Sequence, residues 1–407
     1  MDIEIRPITT EEREEFDAVL SYVFAQSRSD WERYRNEPPW VKPEHTLAAF
    51  VDGSIATATG AQPFTVRLNG RPAQAAGVTA VGTYPQYRRQ GLLRRTMIEA
   101  LTRYRDAGQS FALLWASFAA IYQRYGYGLA SAYVAYEFDP REVAFREELP
   151  TSGAVELMPP GKSRPVQERV HAEWARPRNL VVDRSQEWWD QLFREHGDRR
   201  RYHAVYRNGA GEPRGYLVYD IAEDLGGWGM RETGPDQSMN LLAFYPLDLE
   251  AHRAMWNYIR AHDLVKRVRW DKVPEDDVTP DLLIEPRELH RGTGDAMWMR
   301  ITDVEALLPL RSYGDEGAIT LAVRDELLPW NDGVYRLETE GDAAKVSRTS
   351  GPADLSMRVG ALATLVSGYR SATQLSRAGL LEGDAAALRR ADRLFATEYR
   401  PHMPEGF

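Results

Sequence analysis

Two turn dipeptides, Asp52-Gly53 and Asn69-Gly70, sit between apolar runs and constrain the start of the chain more than any other feature. Each supplies the positive φ that a two-residue hairpin turn requires. Strands are therefore predicted near 46–51, 54–68 and 73–83, as antiparallel neighbours. Ile3–Ile8 (IEIRPI) alternates strictly and suits an earlier strand, with a helical stretch, EEREEFDAVLSYVFA, between it and the meander. After the meander comes YPQYRRQGLLRRTMIEAL, Tyr84 to Leu101. Beyond Gly91 the apolar positions Leu93, Met97, Ala100, Leu101 and Tyr104 recur at helical spacing, and Gly108 ends that helix. Ser110–Ala116 (SFALLWA) reads as a buried strand, and Ser117 is placed to cap a short helix that carries IYQRYGYG.

The first chemical signal is the turn Arg88-Arg89-Gln90-Gly91. A helix N-terminus leaves backbone N–H groups unpaired and carries partial positive charge, so it attracts anions. Gly91 lets a ligand approach the backbone, and Arg88 and Arg89 can add charge-assisted hydrogen bonds. The preceding strand end, Val78–Thr83, offers backbone groups that can pair with a strand-like ligand such as the amide-bearing arm of coenzyme A. Read alone, the turn is also explained by a solvated basic helix start; it is neither a P-loop nor a dinucleotide fingerprint. The second signal is Tyr122, which is either core or a phenol positioned to protonate a departing thiolate.

Downstream, RYHAVYRNGAGEPRGYLVYDI and SMNLLAFYPLDLEAHRAMWNYIRAHD repeat the order of strand, turn, strand and helix. This reads as a second copy of the first unit. Its turn, FYPLDLEAHRA, keeps Tyr-Pro but has lost the arginine pair and the glycine, and puts Asp248 and Glu250 where an anion would sit. The stretch after 290 opens with a strand and helix (DAMWMRITDVEALL), continues with three strands, and closes with DLSMRVGALATLVSGYRSATQLSRAGLLEG, read as two helices; Trp298 and Trp330 are expected to pack this last domain. Trp188-Trp189 reads as core or interface, and Asp295 and Glu405 as solvated carboxylates.

Composition limits the partners. The net charge of −9 argues against nucleic acid and suits a cationic small substrate, although solubility alone also explains it. There is no cysteine, which removes disulfides, thiolate metal sites and a cysteine nucleophile. The histidines show no ligand spacing, so no metal is expected. No apolar run is long enough for a membrane span, and the acidic N-terminus does not read as a secretory signal; a cytoplasmic protein is expected.

The turn and the tyrosine together resemble the GCN5-related N-acetyltransferase (GNAT) superfamily. Arg88 and Gly91 match its pyrophosphate-turn pattern, with Leu93 at the second small position, and Tyr122-Gln-Arg-Tyr-Gly-Tyr matches its tyrosine motif. Over nearly its full length the chain resembles the Eis family of bacterial acetyltransferases, through YRRQGLLRR, IYQRYGYG, the degenerate second copy and the DAMWMRITDV opening of a last domain that ends in phenylalanine. The resemblance implies an α/β (α+β) architecture: tandem GNAT-type mixed sheets over 1–140 (intact, catalytic) and 141–290 (degenerate), then a sterol-carrier-protein-like α+β domain over 291–407. It implies acetyl-CoA held by backbone around Val81 and Thr83 and by Arg88, Arg89, Gly91 and Leu92. It makes Tyr122 the general acid and the α-carboxylate of Phe407 the general base. No property of the residues themselves singles out Phe407, because chain ends usually fray. Phe24, Asp30, Trp31, Glu32 and Glu405 are candidate acceptor contacts, with Gln26 where an acid is expected. The family implies a homo-hexamer that acetylates aminoglycosides at more than one amine. A protein lysine acetyltransferase, or a hydrophobic-ligand carrier with a regulatory CoA domain, are the alternative readings.

Overall fold

The computed structural model describes residues 2–27, 41–147, 150–194, 199–223 and 237–407. The chain opens with β1 (Ile3–Arg6), α1 (Arg13–Val23), β2 (Thr46–Val51), β3 (Ser54–Leu68), β4 (Arg71–Thr83), α2 (Leu92–Asp106), β5 (Phe111–Trp115), α3 (Ala119–Gln123) and β6 (Gly128–Leu129). There follow β7 (Ala132–Phe138), β8 (Ala154–Met158), α4 (Pro160–Ala175), β9 (Val181–Val182), α5 (Gln186–Leu192), β10 (Arg201–Arg207), β11 (Pro213–Glu223), β12 (Gln237–Pro246), α6 (Leu249–Arg260), β13 (Val265–Val273), α7 (Thr279–Leu282) and β14 (Gly292–Asp295). The last stretch supplies β15 (Met297–Ile301), α8 (Val304–Leu307), β16 (Gly317–Arg324), β17 (Gly333–Glu340), β18 (Ala343–Arg348), β19 (Leu355–Arg358), α9 (Val359–Val366), α10 (Ala372–Arg377), β20 (Leu381–Gly383) and α11 (Ala385–Leu394).

The two dipeptides do what their chemistry demands. Asp52 and Gly53, and Asn69 and Gly70, all have positive φ, and they join β2 to β3 and β3 to β4 as antiparallel hairpins. The first sheet runs β1-β2-β3-β4-β5-β15-β6. Within this strand order β4 and β5 pair in parallel, through the crossover helix α2. Helix α2 buries Leu92, Thr96, Met97, Ala100 and Leu101. The second sheet runs β14-β7-β13-β12-β11-β10-β8, again with one parallel pair, β12 and β13, bridged by α6. The repeat expected from sequence is therefore present as topology. The third sheet runs β18-β17-β16-β19-β20.

The described residues fall into two compact units. One unit comprises Met1–Ser131, Ala296–Thr397 and Glu405–Phe407; the other comprises Ala132–Asp295 and Glu398–Pro404. The strand expected to open the last domain, β15, instead lies in the first sheet between β5 and β6. Trp298 follows it, packing with Tyr122 and Tyr127 in the core under that sheet, and Trp330 packs partly against the same core. Sequence placed Trp298 in the last domain because hydrophobic pattern carries no record of which sheet a strand joins. The run read as two final helices begins instead with β19, and α11 after it went unassigned.

A buried ion pair ties β15 to the third sheet. Arg300 Nη2 donates to both carboxylate oxygens of Asp325 at 2.8 Å, and the two side chains are 0% and 1% exposed. Arg300 Nη1 donates to the Ile301 carbonyl, and Asn331 Nδ2 donates to Asp325 Oδ2 at 3.1 Å. Removing one partner strands the other charge in a dry interior. Asp325→Ala is expected to cost about 3–5 kcal/mol in chemical denaturation. The double variant Arg300→Met/Asp325→Leu is expected to cost less than either single change, which a double-mutant cycle measures.

Candidate active site

Helix α2 begins without a side-chain cap and without an acid in its first turn. Its N-cap is Gly91, at φ 78° and ψ 2°, and Arg89 also lies in the left-handed region at φ 62°. Left-handed residues alternating with their neighbours turn successive N–H groups toward one concavity, which binds anions. A Cβ built on Gly91 meets nothing within 4 Å, so the space above the turn is open. Arg88, Arg89 and Gln90 are exposed. Arg88 spends its Nε on the Thr83 carbonyl at 3.0 Å, which fixes the arginine and engages one acceptor expected to face the cofactor. Leu92 is buried against Ala49, Val51 and Ala56, so only its backbone can serve a ligand.

The sheet forks beside this turn. The β4–β5 ladder pairs Ala75, Ala76 and Gly77 with Phe111, Ala112 and Leu113, and ends there, although β4 continues to Thr83 and β5 to Trp115. On its other side β4 carries an extra residue opposite Thr59, with Ala80 at φ 56°. A bulge of this kind takes a residue out of the ladder and re-aims its neighbours. Val81 lies in that bulge, half-buried against the Tyr122 core. The strand edge expected to pair with a ligand's amides thus exists, opened by a fork on one side and a bulge on the other.

The two faces of the fork carry different chemistry. Ala76, Val78, Ala112 and Leu114 pack with Met97 and Leu101 of α2 and with Tyr122. Tyr122 is 6% exposed, and burial pushes its phenol up to about 12, against the opposing effect of a hydrogen bond with Ser117. Ser117 therefore serves the phenol and not the helix end, since the N-cap of α3 is Phe118, with no side-chain cap. The phenol stays protonated throughout the neutral range and can act as an acid.

Side chains alternate along a strand, so Gly77, Leu113 and Trp115 present to the opposite face. Phe64 covers it: a Cβ on Gly77 would lie 2.0 Å from the Phe64 ring. Helix α1 packs on the same face of β3, through Ala58. The chain terminus arrives here. Trp115 Nε1 donates to the Glu405 carbonyl at 3.0 Å, and the Phe407 ring stands edge-on to Phe64 at 4.9 Å between centroids. Glu405 is 4% exposed, not the solvated carboxylate its tail position suggests. Phe24, just past the end of α1, is 45% exposed, and Gln26 is half-buried. Trp31, with Asp30 and Glu32, lies outside the described residues. Trp188 and Trp189 are buried in the other unit, and Trp189 packs edge-on to His171. Trp115 and Phe64 were missed by sequence reasoning, because each reads as an ordinary strand residue.

The second copy's helix starts differently. Its helix α6 is capped by Asp248, whose side chain accepts from Ala251 N, and Glu250 occupies the first turn. Arg214 holds Asp248 at 2.8 Å. Its short helix α7, Thr279–Leu282, contains no tyrosine. A cavity of about 860 Å³ in the first unit, lined by Tyr127, Trp298, Met357, Arg358 and Leu380 among others, is bounded by neither the basic turn nor the tail.

Residues 4–130 match an acetyltransferase (GNAT) domain family, residues 180–301 a second acetyltransferase (GNAT) domain family, and residues 304–404 a sterol carrier protein domain. An uncharacterized N-acetyltransferase of Streptomyces avermitilis is 30% identical over 419 residues, spanning 100% of this chain and 99% of its own. N-acetyltransferase Eis of Mycobacterium tuberculosis is 30% identical over 339 residues, 79% of this chain and 78% of its own. The crystal structure of Eis1 from Mycobacterium abscessus superimposes with a TM-score of 0.82 at 28% identity, covering 100% of both chains. A GCN5-related N-acetyltransferase from Anabaena variabilis shares the fold with a TM-score of 0.87 at 22% identity, again covering 100% of both chains.

Two outcomes are expected. Replacing Arg88 and Arg89 together by alanine is expected to raise the KM for acetyl-CoA about tenfold with kcat little changed, the pattern of lost contacts to a part of a substrate that does not react. In an alkaline titration followed by tyrosinate absorbance, Tyr122 ionises only near pH 12, above the ordinary value of about 10. Its folded pKa exceeds its unfolded one, so its contribution to stability is complete below about pH 10 and is lost as pH rises through about 12.

Proposed function

Since the chain belongs to the Eis family of GCN5-related N-acetyltransferases and is an acetyl-CoA-dependent enzyme, we propose that it acetylates amines of a small cationic acceptor. Aminoglycosides, modified at more than one position, are the leading class. Tyr122 acts as general acid and the α-carboxylate of Phe407 as general base. The reading includes a homo-hexamer and a cytoplasmic location, both carried over from the family.

The observation that carries this assignment is the division of the fork. Tyr122 packs on one face of the β4–β5 opening, and the chain terminus is fastened on the other. A thioester set in the opening has an acid on the coenzyme side and a carboxylate on the amine side. Most amines are protonated at neutral pH, so a base must act before attack. The carboxylate takes a proton from the ammonium group, directly or through a water. The freed nitrogen attacks the thioester carbonyl and forms the C–N bond, with backbone N–H groups of the bulged β4 stabilising the oxyanion. The C–S bond then breaks, and the Tyr122 phenol gives its proton to the thiolate. The amine's second proton reaches the tyrosinate through solvent, and the terminal carboxyl releases the first to water, which restores both groups. Holding the two reactants in contact supplies much of the rate.

The uncapped, acid-free start of α2 supports CoA as the anion bound there, while the self-capped α6 leaves the second copy without that role. The net charge of −9 favours a cationic acceptor.

Thiol release from acetyl-CoA is the test, run with aminoglycosides, polyamines, arylamines and lysine peptides as acceptors. Aminoglycosides are expected to turn over, and product masses are expected to carry more than one acetyl group. Tyr122→Phe is expected to lower kcat about a hundredfold with acetyl-CoA affinity unchanged. Wild-type turnover in that variant removes the tyrosine from the mechanism. Turnover on lysine peptides alone replaces the acceptor assignment.

A further inference from the structure

The end of a chain is ordinarily frayed. Here Pro401, His402, Met403 and Glu405 are all buried. Two of the contacts on the last three residues lie within the first unit: the indole N–H of Trp115 on the Glu405 carbonyl, and the ring of Phe64 against the ring of Phe407. Both come from residues at the fork. Trp115 is the last residue of β5, two beyond the final β4–β5 pair at Leu113. Phe64 occupies the notch that Gly77, the partner of Leu113, leaves by having no side chain.

We infer that Trp115, Phe64 and Gly77 form a clasp that positions the terminal carboxylate of Phe407 at the fork. The inference rests on the reading of that carboxylate as general base. The contacts on the tail are of different kinds, and together they restrain more than either alone. The hydrogen bond fixes the backbone two residues before the end, where a carbonyl has few other ways to satisfy itself once buried. The edge-to-face ring pair fixes the last side chain. With the Glu405 carbonyl and the Phe407 ring both held, the α-carboxylate is left with little freedom. A base on a loose tail samples many positions, and its effective concentration at the amine falls accordingly. Gly77 is part of the device because any side chain there displaces Phe64, and Phe64 carries Phe407. None of the three residues exchanges a proton with substrate, so they are positioning residues.

The experiment uses the full chain and whichever acceptor of the panel turns over fastest. Trp115→Phe keeps an aromatic ring and deletes the N–H donor. It is expected to lower kcat about tenfold while the KM for acetyl-CoA stays within about twofold, because only the base is loosened. A second readout follows the tail itself: carboxypeptidase releases Phe407 faster from Trp115→Phe than from wild type, with the thermal midpoint unchanged. Phe64→Leu, which removes the ring pair, is the second variant and is expected to behave alike if Trp115→Phe does not fold. A chain extended by one alanine after Phe407 separates this inference from the reading beneath it. Loss of kcat in the extended chain with wild-type kcat in both clasp variants overturns the clasp and leaves the base in place. Wild-type kcat in the extended chain overturns the base, and the clasp with it. Reduced kcat in the clasp variants with unchanged Phe407 release also overturns the clasp, because the loss then arises elsewhere.

Discussion

The pair Arg300–Asp325 is the constraint on which the first unit turns. It sits in the strand by which the chain, after building an entire second unit, returns to the first sheet. A guanidinium and a carboxylate that are both dry tolerate no loose geometry, since either one left unpaired is costly. Meeting that demand fixes β15 against β5 and ties it to the third sheet through Asp325 and Asn331. The guanidinium also packs close to Gly126, a few residues beyond Tyr122. Sheet, tyrosine segment and third sheet thus meet at one buried guanidinium.

The two GNAT-type copies show how little separates an anion site from a structural helix. Both use a parallel pair bridged by one helix, and both interrupt the antiparallel ladder beside it with a register shift. In the first copy the helix begins at a left-handed glycine among arginines, so its amide groups face open space. In the second an aspartate side chain has taken the amide that a ligand would use, and an arginine holds that aspartate. The topology is retained because it buries a core. The chemistry is lost because a helix end satisfied by its own side chain has nothing left to offer an anion.

Much of this was legible beforehand, for identifiable reasons. The hairpins followed from Asp-Gly and Asn-Gly, where positive φ is a local demand that no distant contact relaxes. The uncapped basic start of α2 followed from arginines and a glycine ahead of a helical pattern. The repeat followed from element order. What escaped was non-local. Ser117 looked like a helix cap and proved to face the Tyr122 phenol. Glu405 looked solvated and is buried, because the tail is threaded and not free. Trp115 and Phe64 carry no motif, and their importance exists only once the terminus lies against them.

By itself, then, the sequence determined the pieces: each hairpin, the basic helix start, the tyrosine segment and the loss of the second anion turn. These depend on backbone sterics and on residues close together along the chain. Only the tertiary structure decided which sheet β15 completes, that the β4–β5 ladder stops at Gly77, and that Phe407 ends against Phe64. Those outcomes depend on burial shared by segments that are not neighbours along the chain, and side-chain spacing in one dimension holds no information about which distant surfaces meet.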